Sequence, residues 1–210
     1  MQVIEVFDSL QGEGVWVGVP MTFVRLAGCN APELGLECVK WCDTRYAWMP
    51  HAGIERAVES VASEVTLPRC CVTGGEPLLQ EEEVLRLIAA LHGKGVLVHL
   101  ETNGTVVPNV LPPADWIAVS PKPPAYHVSP KLAGVAGEVK VIIDEPLFRL
   151  GLERASNRVG EIVCPFADAQ VCLQPEASGG SELVRMAIAL VMAHPDWRLS
   201  LQLHKIVGIP

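Results

Sequence analysis

Short β-branched and apolar runs alternate along this chain with stretches whose apolar residues recur at helical spacing, the pattern of βα units around a parallel sheet. The pattern predicts strands over residues 22–26, 69–73, 96–101, 116–119, 138–143, 170–173 and 198–203. Each holds few charges, as strands covered on both faces should. Helices are predicted over 54–64, 81–92, 147–155 and 181–193. The proline- and glycine-rich stretch 108–136, apart from its one short strand, reads as an irregular excursion over the surface. With no internal repeat and no low-complexity tail, residues 1–210 read as one α/β domain.

Polar and glycine-rich residues fall just past the ends of these strands. Gly28-Cys29-Asn30 follows the first, Gly74-Gly75-Glu76-Pro77 the second, Glu101-Thr102-Asn103-Gly104 the third, Ser120-Pro121-Lys122 the fourth and Gln174-Pro175 a later one. In a closed or partly closed βα barrel such ends converge on one face, where active sites are built. Singly, each has a plain structural reading: Gly74-Gly75 as a strand-to-helix turn with Pro77 at the helix start, and Asn103-Gly104 as a turn dipeptide. Together they predict one shared mouth.

Composition narrows the setting. The chain has 210 residues, half of them hydrophobic, enough for a core without covalent staples. Its seven cysteines are an odd number and include the adjacent pair Cys70 and Cys71, so reduced thiols in the cytoplasm are expected rather than a disulfide framework. No apolar run approaches the roughly 20 residues of a membrane helix, and the first residues, MQVIEVFDSLQGEG, do not read as a signal peptide. A net charge of -8 without any basic stretch argues against a nucleic-acid or membrane partner and for a small molecule.

Three cysteines stand apart from the rest. Cys70, Cys71, Cys164 and Cys172 lie in or beside apolar segments and read as core. Cys29, Cys38 and Cys42 share one short segment that ends in Trp41-Cys42-Asp43-Thr44. A structural zinc site would want a fourth ligand, for which His51 is the nearest candidate. Three thiolates fit better with a 4Fe-4S cluster whose fourth iron is left open for a small molecule.

The ordered set Leu10-Gln11-Gly12-Glu13-Gly14, Arg25-Leu26-Ala27-Gly28-Cys29-Asn30, Trp41-Cys42-Asp43-Thr44, Thr73-Gly74-Gly75-Glu76-Pro77, Glu101-Thr102-Asn103-Gly104, Ser120-Pro121-Lys122 and His204-Lys205 through Pro210 resembles the 7-carboxy-7-deazaguanine synthase (QueE) family of radical SAM enzymes. The resemblance spans the chain. It implies a partial TIM-type βα barrel of about six parallel core strands, with an extended cluster-binding loop near residues 29–53. The loop departs from the usual radical SAM spacing, since eight residues separate Cys29 from Cys38 and three separate Cys38 from Cys42. The insertion 31–37 is expected to be an exposed excursion.

By this resemblance Cys29, Cys38 and Cys42 ligate the cluster, while Trp41, Cys42, Asp43, Gly75, Glu76, Ser120, Pro121, Lys122, Gln174, Pro175, Glu176 and Ala177 match positions that hold S-adenosyl-L-methionine. Glu76 is expected to accept from its ammonium group. Leu10, Gln11, Gly12, Arg25, Thr73 and Pro210 match substrate-contacting positions, with Arg25 suited to a carboxylate and Pro210 offering an acceptor. Thr44 matches a magnesium ligand, and Glu13 or His204 is a candidate for proton transfer or for positioning the ring. The implied reaction turns 6-carboxy-5,6,7,8-tetrahydropterin into 7-carboxy-7-deazaguanine with loss of ammonia, on the route to queuosine. A flavodoxin or ferredoxin is the implied electron donor and a homodimer the implied assembly. Two other functions share part of the pattern: a different radical SAM enzyme, such as a glycyl-radical activase, and a non-enzymatic zinc-binding interaction module.

Overall fold

A computed structural model describes residues 1–210. The strands are β1 (Gln2–Leu10), β2 (Pro20–Leu26), β3 (Ile54–Glu55), β4 (Arg69–Gly74), β5 (Leu97–Thr102), β6 (Trp116–Val119), β7 (Glu138–Ile143), β8 (Gln170–Pro175) and β9 (Arg198–Leu199). They form one sheet in the order β3-β1-β2-β4-β5-β6-β7-β8-β9. From β2 to β9 all neighbours are parallel, and β1 runs antiparallel to both β2 and β3. The sheet is open between β3 and β9, so the barrel is partial.

Alternation along each strand divides the residues between two environments. Val24 and Leu26, Val72, Val98 and Leu100, Val119, Val139, Val141 and Ile143, and Leu173 join the main core under the helices. The residues between them, Arg25, Thr73, Glu101, Ala118, Lys140 and Gln174, line the hollow on the other face. One inward side chain from each of the six long parallel strands thus builds a common wall.

The helices are α1 (Val58–Glu64), α2 (Glu81–His92), α3 (Pro130–Ala133), α4 (Glu145–Arg149), α5 (Leu152–Val163), α6 (Gly180–Ala193) and α7 (Leu203–Val207). α2 shows why they dock. It buries Val84, Leu87, Ile88 and Leu91, one face at 3.6-residue spacing, and begins with Glu81, Glu82 and Glu83 against the positive end of its dipole. Each of these side chains contributes about 1.5–3 kcal/mol by leaving water.

Several expectations are corrected. β1 lies outside the strands that the pattern predicts, because a strand carrying Glu5 and Asp8, paired with β3 only at Gln2 and Val3, lacks the apolar run of a buried one. The helix expected over 54–64 starts only at Val58, since Ile54 and Glu55 pair with Val3 and Gln2. The helix expected over 147–155 is two, divided at Gly151, whose φ of 75° is left-handed. The strand expected over 198–203 stops at Leu199, and the chain then crosses the barrel mouth into α7. Within 108–136, α3 buries Leu132 and Ala133, so the stretch is not all surface. Cys164, expected in the core, is exposed just past α5, while Cys70, Cys71 and Cys172 are buried. No helix is long and apolar enough to cross a membrane.

Candidate active site

The loop after β2 is tied back to the barrel by its own backbone. Gly28 N–H donates to Ala47 O at 2.8 Å and Cys29 N–H to Trp48 O at 2.9 Å. Of the insertion 31–37, expected to be an exposed excursion, only residues 32–35 are exposed, because Ala31 and Leu36 are buried against Cys38. The longer second interval is absorbed by a 3₁₀ turn over Glu37–Lys40, after which Cys42 N–H donates to Cys38 O at 2.9 Å. That bond spans one helical turn, so Cys38 and Cys42 remain neighbours on one side.

Cys29, Cys38 and Cys42 all line one pocket of about 480 Å³. Burial pushes the Cys29 thiol up to about 11, with the charges of Glu76, Cys38 and Cys42 adding to the rise. Burial also raises Cys38, opposed first by the ammonium of Lys122. All three thiols face the same pocket, and thiolates are the ligands by which a 4Fe-4S cluster is held. Gly75 permits the approach of the two motifs: a Cβ there would stand 2.9 Å from Cys29 Cβ and clash with Gly28 O.

Across the pocket, hydrogen bonds hold the wall residues rigid. Gln11 donates through Nε2 to Glu101 at 3.0 Å and accepts at Oε1 from Glu13 N–H at 3.2 Å. Thr73 Oγ1 donates to the other Glu101 oxygen at 2.8 Å. Arg25 donates from Nε to Glu5 at 2.7 Å and lies over Phe7, which leaves its terminal nitrogens without a protein partner. Lys122 donates to Ser120 at 2.7 Å and lies over the Trp41 ring, and burial lowers its pKa.

Glu13 takes an ion pair from Lys140 and hydrogen bonds from Gln174 at 3.0 Å and Gln202 at 2.8 Å. Burial alone would raise its carboxyl, but the Lys140 charge and these bonds bring it down to about 2. The last helix closes one side of the mouth. Leu203 N–H donates to Gly12 O at 2.8 Å, Lys205 pairs with Asp43 at 2.5 Å, and Pro210 O accepts from Ser9 at 2.8 Å.

Of the site residues expected from the sequence, Leu10, Gln11, Gly12, Arg25, Trp41, Asp43, Thr44, Thr73, Gly75, Ser120, Lys122, Gln174, Glu176, Ala177 and Pro210 join the three cysteines in the lining. Glu76, Pro121 and Pro175 are not among the lining side chains. Glu76 is wholly buried, and both its oxygens already accept, one from Leu78 N–H and Thr102 Oγ1, the other from Asn103 N–H. It pins two motifs together where an ammonium acceptor was expected. Lys140, Gln202 and Tyr46 also line the pocket and were not singled out from the sequence. For Lys140 the available signal was a lysine two residues after Glu138 inside a strand predicted to be buried.

The chain is 35% identical over 225 residues to the 7-carboxy-7-deazaguanine synthase of Bordetella pertussis, covering 99% of this chain and 98% of that protein. This chain belongs to the 7-carboxy-7-deazaguanine synthase family. The synthase of Methanospirillum hungatei is 33% identical over 214 residues, covering 100% of this chain and 86% of the relative. The crystal structure of QueE from Escherichia coli matches with a TM-score of 0.73 and 27% identity, over 97% of this chain and 94% of that one. No family model matches. Membership in the synthase family makes this an enzyme and sets aside both the glycyl-radical activase and the zinc-binding module.

Proposed function

We propose that this synthase contracts 6-carboxy-5,6,7,8-tetrahydropterin to 7-carboxy-7-deazaguanine with loss of ammonia. The observation that carries the reading is the single pocket into which the thiols of Cys29, Cys38 and Cys42 and the polar wall of Arg25, Thr73, Glu101 and Glu13 all face. Cys29, Cys38 and Cys42 would hold a 4Fe-4S cluster, and with S-adenosyl-L-methionine beside it that cluster would supply the radical chemistry by which hydrogen is removed from C6 of the pterin.

The protein's own part is to bind, orient and exclude. Ser120, Lys122 and Gln174 offer donors, and Gly75 a close backbone approach, to S-adenosyl-L-methionine. Arg25, with Nε committed to Glu5, presents its terminal nitrogens to the substrate carboxylate. Glu13 and Glu101 present acceptors to the donor-rich edge of the ring, and Gln11 holds the two in register. Because Glu13 is held ionised and its Oε2 takes a donor only from Lys140, it keeps a lone pair for the ring and serves as an acceptor. Thr44, whose Oγ1 stands 3.4 Å from Cys42 Sγ on the pocket wall, is the single protein oxygen offered to a magnesium ion. A flavodoxin- or ferredoxin-type reductant, a homodimer and a cytoplasmic location complete the reading.

Anaerobic incubation of the reconstituted protein with the pterin, S-adenosyl-L-methionine and a chemical reductant should yield the deazaguanine, and absence of that product overturns the reading. Cys38→Ala should abolish cluster assembly, and a full complement of iron and sulfide in that variant would remove the ligand assignment.

A further inference from the structure

Lys140 stands on the inner wall of the barrel. It is 7% exposed, on β7, and projects inward between the core-facing Val139 and Val141. Its ammonium pairs with Glu13 and feels the charges of Glu101 and Glu138. Glu13 in turn takes Gln202 Nε2 at 2.8 Å and Gln174 Nε2 at 3.0 Å on one oxygen. Gln202 Oε1 accepts from Lys205 at 2.8 Å, and Lys205 pairs with Asp43 of the cluster loop. Ser200 joins Gln174 at 2.9 Å and receives Gly14 N–H at 2.9 Å. The segment that carries His204 and Pro210 over the mouth, anchored by the backbone bonds of Ser200 N–H to Leu173 O and Leu203 N–H to Gly12 O, is thus also tied by Gln202 to a carboxylate whose countercharge is one buried lysine.

We propose that Lys140 is a positioning residue for the pterin: its ammonium holds Glu13 as an ionised acceptor and, through Glu13 and Gln202, sets the last helix over the substrate side of the pocket. This rests on the functional reading above. Removing one partner of a buried pair leaves the other charge uncompensated, which costs far more than the pair itself is worth. Without Lys140, Glu13 would keep its two amide donors, but burial would raise its pKa toward the assay range. The other charged and titratable groups nearby are Glu138 on the same strand, Arg25 on β2, Cys71 on β4, Glu101 on β5, Lys122 after β6, Cys172 on β8, His204 and Lys205 on α7, and Asp43 in the cluster loop. Of the other cations, Arg25 bonds Glu5, Lys122 bonds Ser120, and Lys205 bonds Asp43 and Gln202, so none pairs with Glu13.

The test measures equilibrium binding of the pterin and of S-adenosyl-L-methionine separately, under anaerobic conditions, in the cluster-loaded protein and its variants. Lys140→Met should weaken pterin binding by about 100-fold while S-adenosyl-L-methionine binding stays within about twofold of the parent protein. Its pterin affinity should also fall with decreasing pH, at higher pH than in the parent protein, as the uncompensated Glu13 takes up a proton. The parent protein should show no such limb there. Lys140→Arg, which restores the charge, should recover most of the affinity. If Lys140→Met does not fold, the neutral pair Glu13→Gln/Lys140→Met takes its place and should bind the pterin weakly without any pH limb. Unchanged pterin affinity in the substituted protein, or an equal loss for both ligands, overturns the proposal. A parent protein that binds and converts no pterin would instead overturn the functional reading.

Discussion

Thr102 Oγ1 donates to Glu76 Oε1 at 2.8 Å in the dry interior, while Asn103 N–H takes the other oxygen at 2.7 Å. Two turns from different strand ends are locked by one carboxylate. Burial raises the Glu76 pKa against the lowering effect of these bonds. Glu76→Gln would turn an amide donor toward either Asn103 N–H or Thr102, leaving a buried donor unpaired. The variant should lose about 1–3 kcal/mol of stability. Urea denaturation followed by circular dichroism would show it, and an unchanged midpoint would refute the pinning role.

His99 is buried against the edge of Trp16, and burial, reinforced by Arg69, lowers its pKa to about 4. The unfolded chain binds the proton at the ordinary value of 6.5 and the folded chain only near 4. Stability attributable to His99 is therefore complete above 6.5 and is lost as pH falls from there to 4, by up to about 3 kcal/mol. His99→Phe should remove that loss. Parallel denaturation curves for both proteins across this range would leave the assignment without support.

Gly75→Ala should disturb the first cluster ligand, because the new Cβ meets Gly28 O and stands 2.9 Å from Cys29 Cβ. Backbone and thiol must separate, at a cost of about 1–3 kcal/mol. Iron and sulfide content after reconstitution should fall, and a fully loaded variant of unaltered stability would contradict the close approach.

The pair between Lys205 and Asp43 lies at the rim, with side chains 37% and 46% exposed. Lys205→Ala should change stability by less than about 0.5 kcal/mol. Because the same lysine steadies Gln202, KM for the pterin should rise roughly threefold, an effect that high salt would reproduce in the unsubstituted protein. A large loss of stability would mean that α7 is held by this pair more than by its backbone bonds.

The sequence by itself determined the βα order, the six long parallel strands, the three cysteines and the motifs past each strand end. These are local matters: apolar runs, turn residues and thiols announce themselves within a few positions. It also placed Gln11, Arg25 and Lys122 at the pocket, through a resemblance spanning the chain. Only the tertiary structure decided which polar residues within strands face inward. In a strand covered on both faces, alternation does not say which side meets the helices and which the hollow, so the charge of Lys140 within β7 marked it as unusual without saying that it faces the pocket. The turning of the chain after Leu199 toward α7 was equally hidden, because Ser200 and Gln202 are held there by Gln174 and Glu13 from distant segments. Glu76 became a buried pin for the same reason: its partners Thr102 and Asn103 arrive from the next strand, and only packing brings them within hydrogen-bond reach.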